Sequence, residues 1–285
     1  MPEVHPGLTD LIMDLGGRHY RLTRPFDRTV PESPLVGVSA VAAGPDGRVY
    51  VLQRSDPPIA VLDQHGLVIG GFGHGVVVDG HGISFGADGL VWVVDRDAHE
   101  ITGFTPDGEV VRVLGRRHHP VFGGPFNHPA AVAVTREGEA YVADGYGNSM
   151  VHVFDGEGVH LHSFGGPGDG PGRFSTPHGI IIDRSGRVLV ADRENDRVQV
   201  FDREGEWLEE WRDLARPMDL SEDEDGSILV TDQVPRLTRF VEGVIVGRCR
   251  PVASAGHGVA VSAGGAIYLA EPAPRDRVVR LVPIA

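Results

Sequence analysis

The stretch Pro177-His178-Gly179-Ile180, followed by Val188-Leu189-Val190-Ala191-Asp192-Arg193-Glu194-Asn195, decides how the chain is read. It runs as a turn, a short apolar strand, a Gly-containing turn, a second apolar strand and then an acidic residue. His178 and Asp192 stand 14 positions apart. The same register recurs as Ala40 with Arg54, His81 with Asp95, Ala130 with Asp144, Met218 with Asp232, and His257 with Glu271. Successive units begin 41, 49, 48, 40 and 39 residues apart. Within a unit further strands are legible, such as Glu100-Ile101-Thr102-Gly103-Phe104 and Val110-Val111-Arg112-Val113-Leu114. Asp-Gly and Glu-Gly turns at 107–108, 157–158 and 204–205 separate them. A repeat of about 40 residues with about four strands is a propeller blade. The spacing therefore predicts an all-β, six-bladed β-propeller over 36–285, with 1–35 as lead-in.

The ends predict how the ring closes. The sixth unit has Ala266-Ile267-Tyr268-Leu269 and Val278-Val279-Arg280-Leu281 and then lacks an outer strand. An open strand edge is a liability, and the stretch His19 to Leu22 can fill it. The connectors 115–128 and 165–176 are Gly- and Pro-rich and read as loops on one face, where sites gather.

Composition agrees. Forty Gly, 21 Pro and 7% aromatics among 285 residues suit many short strands and turns. The net charge of -14 disfavours nucleic acid and anionic membrane surfaces. All 26 basic residues are Arg, which excludes Schiff-base chemistry on a lysine. Cys249 is the single cysteine, so no internal disulfide forms. The opening residues show no secretory pattern, and no apolar run approaches membrane-spanning length. A cytoplasmic monomer is expected.

The histidines point to chemistry. In a propeller the first strand of each blade lies nearest the axis. His81, His178 and His257 occupy blades two, four and six, about 120° apart in a six-fold ring. Each is followed by Gly, which permits close approach of backbone at a crowded axis. Three imidazoles with an open fourth position suit a catalytic zinc, with iron as the other choice. The pair His118-His119, and His152, His160 and His162, read instead as solvated loop and outer-strand residues.

Asp144-Gly145-Tyr146-Gly147-Asn148-Ser149, Phe174 to His178, and Ala191 to Gln199 resemble the peptidyl-α-hydroxyglycine α-amidating lyases, and more loosely the NHL-repeat propellers. The likeness runs over about 36–283. It implies a six-bladed propeller that cleaves the N–Cα bond of a C-terminal α-hydroxyglycine, on a peptide or a small metabolite, to an amide and glyoxylate. It implies His81, His178 and His257 as ligands to the metal and Tyr146 as general base. It also implies Arg54 as the arginine beside that base, and Arg193 as the group that meets the substrate carboxylate. A phenol among cations is readily made anionic and usable as a base. The family's calcium site would fall on the backbone carbonyls of Val41 and Ile83. Its aspartate is replaced here by Gly258, with Asp219 a nearby carboxylate, and its methionine before the third histidine is Ala255. Two other readings fit the same repeats: a metal-dependent hydrolase or lactonase, and a non-catalytic NHL-type binding scaffold.

Overall fold

The structure is a computed structural model and describes residues 11–27 and 34–284. Six antiparallel sheets surround an axis. Blade one is Ala40–Ala43, Val49–Leu52, Ile59–Leu62 and Val68–Phe72. Blade two is Gly80–Phe85, Val91–Asp95, Glu100–Phe104 and Val110–Gly115. Blade three is Ala131–Val134, Ala140–Asp144, Met150–Phe154 and His160–Gly165. Blade four is Pro177–Ile182, Val188–Asp192, Arg197–Phe201 and Trp207–Trp211. Blade five is Pro217–Glu222, Ile228–Asp232, Leu237–Val241 and Val244–Cys249.

Blade six has Gly258–Val261, Ile267–Glu271 and Arg277–Pro283, and takes its fourth strand, His19–Thr23, from the other end of the chain. Leu22 pairs with Leu281 and Tyr20 with Pro283. The alternation in His19–Thr23 explains the fit, since Tyr20 and Leu22 are buried and their neighbours are not. A fifth strand, Leu11–Asp14, lies outside it, in a stretch where the sequence showed no clear period. A hairpin turn joins the two. Gly16 and Gly17 both have positive φ, and the Leu15 N–H donates to the Arg18 carbonyl at 2.8 Å. Two successive residues at positive φ are what a tight hairpin asks for, and glycine supplies them without a Cβ penalty.

The apolar core is divided into six layers, one between each pair of neighbouring blades. Leu22 belongs to the layer between blades five and six. Leu22→Ala removes buried methyl groups from a strand that holds the ring shut. We expect a loss of ~2–5 kcal/mol, read as a lower urea midpoint. An unchanged midpoint would contradict the closing role of this strand.

The acidic residue that ends the second strand of five blades has a structural task. Asp95 accepts the N–H groups of Val78 and Asp79, Asp144 that of Asn127, and Asp192 that of Ser175. Asp232 accepts from Ala215, and Glu271 from Ala253 and Ser254. Each thus fixes the segment that leads into its own blade's first strand. Buried carboxylates are tolerated because these donors satisfy them. In blade one the neighbouring Gln53 does this work, accepting from Val36 and donating to Pro57. Position 54 is released from it, and the Arg54 side chain is left 46% exposed.

Candidate metal centre

Local backbone irregularity aims two of the three histidines. Strand register shifts between Gly80 and Gly82, and between Pro177 and Ile180, so His81 and His178 sit in bulges. Bulges turn a side chain out of the regular alternation and recur beside active sites. The glycine after each histidine is required by space. A Cβ on Gly82 would meet the Ala130 carbonyl oxygen at 2.5 Å, and one on Gly179 would meet Asp219 Cα at 2.7 Å. On Gly258 it would reach Ala40 Cα at 3.0 Å. Each blade thereby packs its histidine strand against the next blade.

The three rings converge. Their centroids are 4.8, 4.9 and 5.0 Å apart, and one nitrogen from each lies within 4.8 Å of the others. His81 Nδ1 bonds the Ala130 carbonyl at 2.9 Å, and His178 Nδ1 bonds the Met218 carbonyl at 2.8 Å. A carbonyl only accepts, so these partners assign the proton of both rings to Nδ1 and leave Nε2 as a lone pair. The acceptors Ala130 and Met218 are the residues that hold the histidine's register position in the next blade. At the seam between blades six and one this pattern breaks: no such bond joins His257 Nδ1 to Ala40, and the backbone nearest the ring is that of Ser39.

Burial, above all, drives the pKa of His81 and His178 well below the ordinary histidine value, with the charge of neighbouring histidines adding to it. His257 is lowered to about 4, again mainly by burial, with Arg54, Arg193 and Arg96 adding and the Ser39 backbone opposing. Neutral imidazoles are the metal-binding form.

Tyr146 completes the cluster. Its hydroxyl lies 2.9 Å from His81 Nε2 and 3.1 Å from His178 Nε2. One O–H proton serves only one of these two lone pairs. Two converging acceptors that share one proton, with a third, half-buried ring beside them, suit a cation. This donor set fits zinc or iron.

The cluster closes one end of a cavity of about 180 Å³ along the axis. Val41, Ile83 and Asp219 line it, and Asp219 is the one carboxylate among its lining residues. The two Asp219 oxygens accept the N–H groups of Leu220 and Val259 at 2.9 Å. Burial raises its pKa to about 7. Calcium asks for about six to eight oxygens, with charge among them. One carboxylate already committed to two backbone N–H groups is far short of that set among the side chains that line the cavity.

Three arginines surround Tyr146 and the histidines. Arg193 stands on a 3-10 turn, Arg193–Asn195, and donates from Nη1 to the Tyr146 oxygen at 3.2 Å. Its guanidinium also lies 5.2 Å from the Tyr146 ring centre, and that of Arg96 lies 5.6 Å away. The arginine that touches the phenol is thus Arg193, whereas the sequence resemblance put Arg54 there. Arg54 stands further round the ring, its Nε 3.6 Å from Asp79. Each of the three has a carboxylate beside it, Glu194 for Arg193, Asp79 and Asp97 for Arg96, and Asp79 for Arg54, and the charge of all three reaches His257.

Two features escaped the sequence reading. Arg96 follows Asp95 as Arg193 follows Asp192, and that shared register position was its signal. His152, read as solvated, is fully buried and bonds Asp144 at 3.1 Å and Ser163 at 2.7 Å. Asp144 and Asn148 together tie the Tyr146 turn to the 115–128 connector, since Asn148 donates to Val121, Gly124 and Asp144. No sequence period marks such a network.

Known proteins resemble this chain in both sequence and fold. The NHL repeat model matches residues 126–154 and 174–201. NHL repeat-containing protein 3 of Homo sapiens is 33% identical over 208 residues, 66% of this chain and 59% of that protein. The probable peptidyl-α-hydroxyglycine α-amidating lyase of Caenorhabditis elegans is 34% identical over 148 residues, 50% of this chain and 42% of that protein. The chain thus spans less than two thirds of the length of these curated relatives. Among solved structures, a streptogramin B lyase superposes with a TM-score of 0.65 at 15% identity, covering 93% of this chain and 98% of that one. A putative gluconolactonase gives 0.69 at 15% identity, covering 93% and 92%. Identities this low speak for the fold alone. No helix among the described residues is long and apolar enough to cross a membrane. The chain is a six-bladed β-propeller with two segments that match the NHL repeat, and half of it is similar in sequence to a peptidyl-α-hydroxyglycine α-amidating lyase.

Proposed function

We propose that the protein is a metal-dependent carbon–nitrogen lyase acting on an N-acyl-α-hydroxyglycine, peptide or small molecule, to give a primary amide and glyoxylate. His81, His178 and His257 would hold the ion. When bound, a divalent transition metal supplies Lewis acidity toward a hydroxyl oxygen. The observation that carries the reading is the Tyr146 hydroxyl, within hydrogen-bond reach of two imidazole nitrogens and of Arg193.

Tyr146, as phenolate, takes the substrate hydroxyl proton. The C–O bond becomes the aldehyde of glyoxylate, the N–Cα bond breaks, and its electron pair goes to the amide nitrogen. Tyr146 then returns the proton to that nitrogen, so atoms and charge balance. Arg193 donates into the phenolic oxygen and stabilises its negative charge.

The test is metal-replete protein with α-hydroxyhippurate, following glyoxylate and benzamide together. Equimolar release of both is expected. Hydrolysis of a γ-lactone offered in a parallel assay, without glyoxylate from α-hydroxyhippurate, would favour a hydrolase instead, and the absence of both would favour a binding scaffold.

A further inference from the structure

We propose that Arg54 is the carboxylate anchor of the site and that Asp79 and Arg96 are the positioning pair that holds it. For the identity of the substrate, this rests on the lyase reading. The two candidate anchors are differently engaged. Arg193 commits Nε to Glu194 at 2.9 Å and Nη1 to the Tyr146 oxygen at 3.2 Å. Among the described residues, the one ionic neighbour of the Arg54 guanidinium is Asp79, 3.6 Å from Nε, which is too far for a hydrogen bond. No group among the described residues takes the Nη edge of Arg54, which leaves it for two parallel bonds to a carboxylate. Its main chain is fixed, with the N–H shared between the Val36 and Gly37 carbonyls. Its charge also reaches both His81 and His257.

Asp79 is held on three sides. Its N–H donates to Asp95 at 3.1 Å, its carbonyl accepts the Arg96 N–H at 3.2 Å, and its carboxylate pairs with Arg96 Nη2 at 2.6 Å. Arg96 is itself oriented by Asp97 at 2.8 Å and lies against the Tyr146 ring. The side-chain series Arg54, Asp79, Arg96, Tyr146 thus sets the distance between carboxylate anchor and base. A loose ion pair to a fixed carboxylate keeps Arg54 beside the histidine cluster without occupying the edge that a substrate needs.

The test uses glycolate, which carries the hydroxyl and carboxylate of the substrate head, titrated calorimetrically into metal-replete protein. Asp79→Asn and Arg96→Gln should each weaken glycolate at least about tenfold, and Arg54→Gln should remove binding. Arg193→Gln should keep glycolate affinity within about threefold. With α-hydroxyhippurate, Asp79→Asn should raise KM and spare kcat, and Arg96→Lys should restore part of what Arg96→Gln loses. Metal content should stay at the wild-type value in every variant. Wild-type glycolate affinity in both Asp79→Asn and Arg96→Gln would overturn the proposal, as would abolition of binding by Arg193→Gln. Failure of the wild type to bind glycolate would overturn it too. Glycolate binding that responds as expected, without glyoxylate release from α-hydroxyhippurate, would keep the anchor and reject the lyase reading.

Discussion

Replacing His178 with alanine should strip the protein of its transition metal while leaving the β-sheet circular dichroism in place. His178 is fully enclosed and contributes one of three converging nitrogens. Losing an outer-sphere partner of a metal site typically costs about 10–100-fold in affinity, and losing a ligand should exceed that. The fold should bear the change. The ring's Nδ1 bond to the Met218 carbonyl is one link among many between blades four and five, and a single hydrogen bond contributes about 1 kcal/mol. Elemental analysis after dialysis checks the expectation. Wild-type metal content in the variant would remove His178 from the ligand set.

Tyr146→Phe should have the opposite signature, with metal retained and turnover lost. The hydroxyl is the group that meets His81, His178 and Arg193, whereas the ring is held between Arg96 and Arg193 and persists in phenylalanine. General base catalysis contributes about 10²–10⁴-fold. A fall in kcat of that size is expected, with KM for α-hydroxyhippurate little changed. Wild-type kcat would exclude Tyr146 as the base.

The hub was legible in the sequence because it follows from counting. A constant step of 14 residues, six times over, places three histidines on alternate blades, and Gly82, Gly179 and Gly258 mark the close contacts beside them. The closing strand was legible for a different reason, since Tyr20 and Leu22 alternate with polar residues toward a sheet that lacked an edge. What stayed hidden depends on which side chain meets which across blades. Arg193 rather than Arg54 reaches the phenol because the 3-10 turn in blade four carries its guanidinium back over blade three. Gln53 frees Arg54 from the capping task, an exchange between neighbours that no periodicity predicts. His152 is buried because Asp144 and Ser163 satisfy both of its nitrogens, and that pairing joins strands across a sheet. The outermost strand, Leu11–Asp14, was overlooked although Gly16-Gly17 gave the hairpin signal for it.

The most direct test of the three-histidine hub is a count of metal ions in dialysed protein by elemental analysis, normalised to chain concentration. The account predicts one zinc or iron per chain, lost in step with His81→Ala, His178→Ala or His257→Ala. Protein that holds no transition metal, even after incubation with zinc and removal of the excess, would contradict it.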